Sequence, residues 1–293
     1  MKINQVHCPA CGSYSLHHFL DCIDHSVSRE SFRLIQCKNC DLLLTDPQPD
    51  AAGIQRYYQF EDYVSHTSNA TNLINSIYLF ARKYTLKQKL NLINNYSDKG
   101  KLLDMGCGTG NFLDVCIRNG WWAGGIESSE NARKIAMKTV RNISGSLQDH
   151  IGQDYDVITL WHVLEHLKNF SASLDILKKL LKTSGTIFIA VPNYQSYDAR
   201  HYKEYWAGYD VPRHLWHFSK KTMENILRKH QFKLVDIRPM KLDAYYVSLL
   251  SEKYRRKKIT PVGLLNALKT GLASNLSARK TINYSSLIYI VRK

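Results

Sequence analysis

Lys101-Leu-Leu-Asp104-Met-Gly106-Cys-Gly108-Thr-Gly110-Asn-Phe-Leu113 decides the fold. A short apolar run ends at Asp104, and three alternate glycines lead into residues that suit a helix. Glycines there let the backbone turn sharply out of a strand and approach a ligand with no Cβ in the way. The helix that follows offers free N–H groups to that ligand. A second anchor stands at Glu127, at the end of Trp121-Trp122-Ala-Gly-Gly-Ile126. An acidic residue about 20 positions beyond such a loop is placed to accept hydrogen bonds from ribose hydroxyls.

The loop departs from the dinucleotide fingerprint, whose third glycine comes one residue later, and no Gly-Lys-Ser/Thr follows to make a phosphate loop. Downstream, strand-like runs at 101–105, 121–126, 141–147, 156–161, 186–191, 232–239 and 286–292 alternate with helical stretches at 110–119, 129–139 and 170–183. Such alternation predicts a parallel sheet with helices on both faces. In the last helix, Phe170, Leu174, Leu177 and Leu181 recur at helical spacing, and Ser184-Gly185 reads as its stop. A further helix is expected over 69–96, with Leu73, Ile77, Phe80, Tyr84, Leu90 and Ile93 as its apolar stripe.

Asp156-Val-Ile-Thr-Leu-Trp161-His162-Val-Leu-Glu165-His166 places two histidines and a glutamate just past a buried strand. The two-histidine zinc motif sets its glutamate beside the first histidine, so the spacing argues against a metal pair. After Val191-Pro-Asn193 comes Tyr194–Phe218, rich in aromatic and polar residues and containing Asp210-Val-Pro-Arg213-His214-Leu-Trp-His217-Phe-Ser219. It follows the carboxyl end of a strand, where α/β sheets bind ligands, and reads as a substrate loop. Ser219 is a helix cap, and Met223, Ile226, Leu227 and His230 continue that helix.

Near the N-terminus, Cys8-Pro-Ala-Cys11 and Cys37-Lys-Asn-Cys40 form two C-x2-C pairs. Two such turns make a closed tetrahedral thiolate site for structural Zn2+. Asp46-Pro-Gln-Pro49 is a stiff exit from this ribbon. The aromatic run Tyr57–His66 reads as packing against the main domain, with a ligand flap as the alternative.

The chain has 293 residues, 44% hydrophobic, with net charge +15. No stretch reaches a membrane span, and the N-terminal MKINQVHCPACG lacks the apolar core of a signal peptide, which leads to a cytoplasmic expectation. Residues 1–60 carry five Lys/Arg against six Asp/Glu, whereas 241–293 carry eleven against two. A slightly acidic ribbon argues against nucleic acid, because phosphate binding needs lysine and arginine. The basic run Lys253–Lys258 precedes Val262, Leu265, Leu268, Leu272 and Leu276, which share one helical face. Packing on the same domain or in a homodimer is the ordinary reading; membrane-surface contact through 253–278 is the other.

Together, the loop, Glu127 and His162–His166 resemble class I S-adenosylmethionine-dependent methyltransferases. With the four cysteines and the Pro212–Ser219 segment, the chain is similar to bacterial small-molecule methyltransferases with an N-terminal zinc-binding module. The resemblance implies a doubly wound, seven-stranded Rossmann-like sheet with a small zinc ribbon. It implies a ribbon at 1–48, a linker and helical cover at 49–98, and a catalytic domain at 99–293 with a substrate loop at 194–218 and an insertion at 241–284. By the same resemblance, Asp104, Gly106, Cys107, Gly108, Gly110, Glu127, Ser128, Leu147, Gln148, Trp161 and His162 line the S-adenosylmethionine site. The resemblance implies a small-molecule methyl acceptor, a sugar, a quinone precursor or another metabolite, attacking through oxygen, nitrogen or carbon. His214 is the first choice of base, with His162 and His217 next and Asp210 as an orienter. An RNA methyltransferase and a non-catalytic cofactor-binding or membrane-surface scaffold are the competing classes.

Overall fold

A computed structural model describes residues 7–50, 52–58 and 73–293, with side chains from Arg82 onward in the helix Leu73–Asn94. Contacts divide the chain into two units. The first comprises the described residues of Met1–Phe60 with His162–Ser171 and Ala190–Tyr289; the second comprises those of Glu61–Trp161 with Ala172–Ile189 and Ile290–Lys293.

The first unit contains a four-stranded sheet. Strands β1 (Leu16–Ile23), β2 (Ser31–Cys37) and β3 (Leu43–Asp46) run antiparallel in that order. The fourth strand comes from far along the chain: β9 (Trp216–His217) pairs with β3 through Leu43↔His217 and Leu44↔Trp216. The N-terminal residues therefore share one sheet with the Tyr194–Phe218 segment. Tyr194 adds a bond from its hydroxyl to the Asp41 carbonyl at 2.6 Å.

That segment is folded rather than loop-like. It forms a helix, Tyr197–Tyr202, and short 3-10 turns at Lys203–Tyr205 and Ala207–Tyr209. Tyr194, Tyr202, Trp206 and Tyr209 are buried with Phe32, Leu34 and Leu43 in the core of this unit. Aromatic rings supply much buried area per residue, which is why the segment carries so many. Asp198, fully buried, accepts hydrogen bonds from Trp206 Nε1 at 2.7 Å, Ser274 Oγ at 2.6 Å and Ser285 Oγ at 2.7 Å.

Residues 241–284, expected as an insertion, form two packed helices, Asp243–Arg256 and Pro261–Thr281. Thr260 caps the second, accepting from the Gly263 N–H at 3.0 Å, and Pro261 suits its first position because no donor is needed there. Its buried face is made of Gly263, Ala267, Thr270, Gly271, Ser274 and Ala278. The helices approach closely: a Cβ on Gly271 would sit 3.0 Å from the Tyr245 Cα. The leucine face faces solvent, which corrects the expectation that it packs on its own domain.

The second unit holds β4 (Lys101–Met105), β5 (Trp122–Ile126), β6 (Ile143–Ser144) and β7 (Tyr155–Trp161). With β8 (Leu181–Pro192), β10 (Lys233–Pro239) and β11 (Ser286–Arg292) the strand order is β10-β11-β8-β7-β4-β5-β6. Strand β4 lies parallel to both β5 and β7, with Asp104 opposite Gly125 and Thr159. Chain order reverses beside β4, and ligands bind beyond the carboxyl ends of strands at such a switch point. This is the seven-stranded Rossmann-like architecture expected from the alternation of elements.

Several local expectations differ. Strand β6 is two residues long, and Leu147–His150 turns into a 3-10 helix capped by Ser146, whose hydroxyl competes with strand pairing. The Phe170–Leu180 helix passes straight into β8 at Leu181, well before Gly185. Lys182, early in that strand, is fixed by both oxygens of Asp156 at 2.8 and 2.9 Å. In the Leu73–Asn94 helix, Leu90 and Ile93 are buried but Tyr84 is exposed. Of Tyr57–His66, Tyr57 is buried, and the residues after Tyr58 lie outside the described ones, as does the start of the expected 69–96 helix.

Candidate active site

The glycine loop of the second unit is tied to the end of β5. Gly106 and Cys107 donate their N–H groups to the Ile126 carbonyl at 2.8 and 3.0 Å. Gly108 adopts φ +55° and Gly110 φ +80°, conformations that cost little only for glycine. A Cβ at Gly108 would meet nothing within 4 Å among the described residues, whereas one at Gly110 would press on the Ala136 side chain at 3.1 Å. Gly108 therefore faces open space, and Gly110 lets the helix Asn111–Arg118 start against its neighbour.

Glu127 is 7% exposed and is held from both sides. The Gly108 N–H donates to its Oε2 at 2.9 Å and the Ser129 N–H to its Oε1 at 2.8 Å. Each oxygen keeps a lone pair for a ligand hydroxyl. Asp104 is buried beneath the loop, and burial pushes its pKa up to about 7, with a Thr159 hydroxyl donating to it at 2.5 Å. Trp161 Nε1 is buried and has no hydrogen-bond partner among the described residues. An orphaned donor, an open backbone approach and a free carboxylate edge fit a ligand with ribose hydroxyls. Cys107 and Leu147 are buried, while Ser128 and Gln148 are exposed. Burial pushes the Cys107 thiol well up, so it stays protonated and unreactive.

Two residues of this site escaped the sequence reading. Thr159 was signalled by being the one hydroxyl in the run Val157–Trp161. Lys89 had no signal: its ammonium lies 4.5 Å from the Trp161 ring centroid and lowers the Asp104 pKa against the effect of burial.

In the first unit, His162, Glu165, His166 and His214 form a titratable cluster. His162 has φ +58° and sits between two carboxylates, Asp243 Oδ2 at 3.1 Å from Nε2 and Glu165 Oε1 at 3.4 Å from Nδ1. Burial alone would favour neutral imidazole, but these partners outweigh it and raise the pKa to about 9. His162 is thus a cation at neutral pH, which argues against a base role.

His214 is the opposite case. Burial, with His166 beside it, lowers its pKa to about 4 and keeps it neutral. Its Nδ1–H donates to the Gly208 carbonyl at 2.9 Å, so Nε2 carries the lone pair. Asp210 Oδ2 stands 4.0 Å from that Nε2, too far to orient it by a hydrogen bond. Asp210 instead accepts from Arg213 through both oxygens, at 2.9 and 2.6 Å. Arg213 also reaches Asp24 at 3.1 Å and the Tyr57 carbonyl at 2.9 Å, and so clamps three parts of this unit together.

His217 has a structural engagement. Thr45 gives its hydroxyl proton to the His214 carbonyl at 2.6 Å and so accepts from His217 Nε2 at 3.0 Å. Glu165 is fully buried, with neither oxygen hydrogen-bonded among the described residues, and the His162 cation 3.4 Å away holds its pKa down against burial. His166 gives Nδ1–H to the Arg213 carbonyl at 2.9 Å. Glu165, His166 and His214 offer ligand atoms within 4.8 Å of one another, a donor set that can hold a divalent cation.

The four cysteines also converge within 4.8 Å. Cys8 and Cys40 sulfurs are 3.5 Å apart, as are those of Cys11 and Cys37. The Thr222 hydroxyl, donating to the Cys40 carbonyl at 2.7 Å, fixes one of the turns. Four thiols at this spacing fit one tetrahedral ion.

Fold and loop define a class of protein, and comparison with known sequences agrees. Residues 78–237 match the family Methyltransf_23, described as a methyltransferase domain, and the chain belongs to that family. Among curated relatives, ubiquinone biosynthesis O-methyltransferase of Idiomarina loihiensis is 29% identical over 118 residues, 36% of this chain and 49% of that protein. The enzyme of the same name from Proteus mirabilis is 31% identical over 118 residues, again 36% of this chain and 48% of the relative. The chain thus spans about half the length of the curated relatives it matches. Magnesium protoporphyrin IX methyltransferase from Synechocystis PCC 6803, with bound SAH, superposes with TM-score 0.51 at 13% identity, covering 83% of this chain and 95% of that one. Coclaurine N-methyltransferase superposes at 0.50 with 12% identity, covering 82% and 80%. At such identities both show the fold.

Proposed function

We propose that the protein transfers a methyl group from S-adenosylmethionine to a hydroxyl oxygen of a small molecule. The observation that carries this reading is the Gly108–Glu127 pairing beside open space in a member of the methyltransferase-domain family. The names of the curated relatives support an oxygen acceptor on a metabolite. When bound, S-adenosylmethionine supplies an electrophilic methyl group on a sulfonium sulfur.

The chain's own residues then have distinct tasks. Glu127 binds the ribose hydroxyls, and the 106–110 backbone approaches the ligand. Leu147 and Gln148 lie near adenine, and Asp104 and Trp161 hold the loop side. His214 Nε2 takes the proton of the acceptor hydroxyl as its oxygen attacks, a step for which a neutral ring with a fixed tautomer is in the right form. His162, as a cation, positions Glu165 and Asp243. Holding the reactants in line supplies much of the rate enhancement.

The convergence of Glu165, His166 and His214 favours a second reading of the same step: these three residues would hold a divalent cation, which would supply Lewis-acid polarisation of the acceptor hydroxyl. Adding Mg2+ or Mn2+ to protein whose four-thiolate zinc is retained by elemental analysis separates the two, because base catalysis by His214 gains nothing from the added ion. Cys8, Cys11, Cys37 and Cys40 hold a structural zinc. Of the further partners, the exposed leucine face of Pro261–Thr281 supports a membrane surface ahead of a homodimer. Turnover of a phenolic acceptor panel with radiolabelled S-adenosylmethionine tests the function; no labelled product with any acceptor, from protein that binds the cofactor, would reject it.

A further inference from the structure

Helix Pro261–Thr281 is turned the opposite way from an ordinary surface helix. Such a helix buries its leucines and exposes its small and polar residues. Here Gly263, Ala267, Gly271 and Ala278 are the buried residues, with Gly263 and Gly271 set against the neighbouring helix, and Val262, Leu265, Leu268, Leu272 and Leu276 are 46–58% exposed. Close packing against Tyr245 leaves no room for leucine on the inner side, so the outward stripe is built into the helix pair. Ile259 and Ile282, at the two ends, extend it, both also exposed.

Charge identifies what covers this stripe. No Asp or Glu occurs anywhere from Lys253 to Lys293. Lys257, Lys258, Lys269, Arg279 and Lys280 are exposed around the leucines. Glu252, the acid nearest in sequence, is buried and already paired with Arg255 and Arg256 at 2.5 and 2.7 Å, so it neutralises none of the five. A two-fold dimer through this face would set the acid-free stretch Lys253–Lys293 against its own copy, lysine facing lysine. A nucleic acid would meet leucines where phosphates need cations. An anionic bilayer satisfies both halves, with acyl chains under the leucines and headgroup charge beside the lysines. Among the described residues, no helix is long and apolar enough to cross a membrane, so the contact lies in the plane of the surface.

We propose that the Pro261–Thr281 helix docks the protein on the surface of a membrane rich in anionic lipid, its leucine stripe entering the headgroup boundary and its flanking lysines binding lipid charge. This goes beyond methyl transfer and stands whether or not that reading holds. The test is flotation of the full-length protein with vesicles of phosphatidylcholine alone or with about a quarter phosphatidylglycerol, at low and high salt. The protein floats with the anionic vesicles, and roughly tenfold less with neutral ones. Leu265→Ser/Leu268→Ser/Leu272→Ser and, separately, Lys257→Gln/Lys258→Gln/Lys269→Gln each lower binding about tenfold or more. These positions face solvent, so unchanged circular dichroism and unchanged S-adenosylmethionine binding accompany the loss. Failure to float at low salt overturns the proposal. So does equal flotation with neutral vesicles, or leucine-variant binding equal to wild type. Light scattering that shows a dimer dissolved by the leucine substitutions, with no vesicle binding, assigns the stripe to a second copy instead.

Discussion

The Nδ1–H of His214 donates to the Gly208 carbonyl at 2.9 Å, and this one bond leaves a lone pair on Nε2 of a buried, neutral ring. His162, 52 residues earlier, is held as a cation by Asp243 and Glu165. Two histidines in one unit thus have opposite protonation states, each set by its partners.

The acid limb of turnover follows. His214 becomes protonated only as pH falls through about 4, so activity stays level from pH 8 to about 5. His214→Ala lowers kcat by roughly 100- to 10,000-fold, the usual range for a lost general base, with cofactor affinity preserved. Full activity in that variant would reject the role, and an acid limb centred near pH 6.5 would reject the neutral-ring account.

The His162–Asp243 contact has the opposite sign. Its histidine pKa is raised in the folded state, so the stabilisation is fully present below the unfolded histidine value near 6.5 and fades as pH rises through about 9. Thermal melts of wild type and Asp243→Asn should differ most at pH 6 and converge by pH 10. A gap that widens with pH would contradict the assignment.

Arg213 is the partner of two carboxylates and a carbonyl and is almost fully buried. Arg213→Met leaves Asp24 and Asp210 uncompensated, at a cost of about 3–5 kcal/mol. Urea unfolding measures this; a loss under about 1 kcal/mol would show that the network is not as strongly coupled as its geometry implies.

Cys8→Ser/Cys37→Ser should remove one zinc per chain by elemental analysis and lower the melting temperature, because small thiolate ribbons draw folding energy from the ion. Unchanged zinc content would place the metal elsewhere.

Sheet and glycine loop were legible in the sequence because both are local: strand–turn–helix spacing and an acidic residue after the second strand are written in consecutive residues. The Tyr194–Phe218 segment was less so. Its aromatics read as a ligand-facing loop, yet most form a core, because their partners lie far back in the chain, Asp41 being 153 residues before Tyr194. Pairing of β9 with β3 has no local signature at all. Asp210 beside His214 looked like an orienter, but a guanidinium competes for a carboxylate more strongly than a neutral imidazole does. The leucines of Pro261–Thr281 gave the right helix but not its own-domain cover, since periodicity marks an apolar face without saying what covers it.

Calorimetric titration with S-adenosylmethionine tests the central claim most directly. Wild type should bind one equivalent. Glu127→Ala should weaken binding about tenfold or more, by removing a carboxylate that accepts charge-assisted hydrogen bonds. Gly108→Arg, which fills the open side of the loop, should abolish it while the fold is retained. No binding by wild type, or equal binding by all three proteins, would contradict the account.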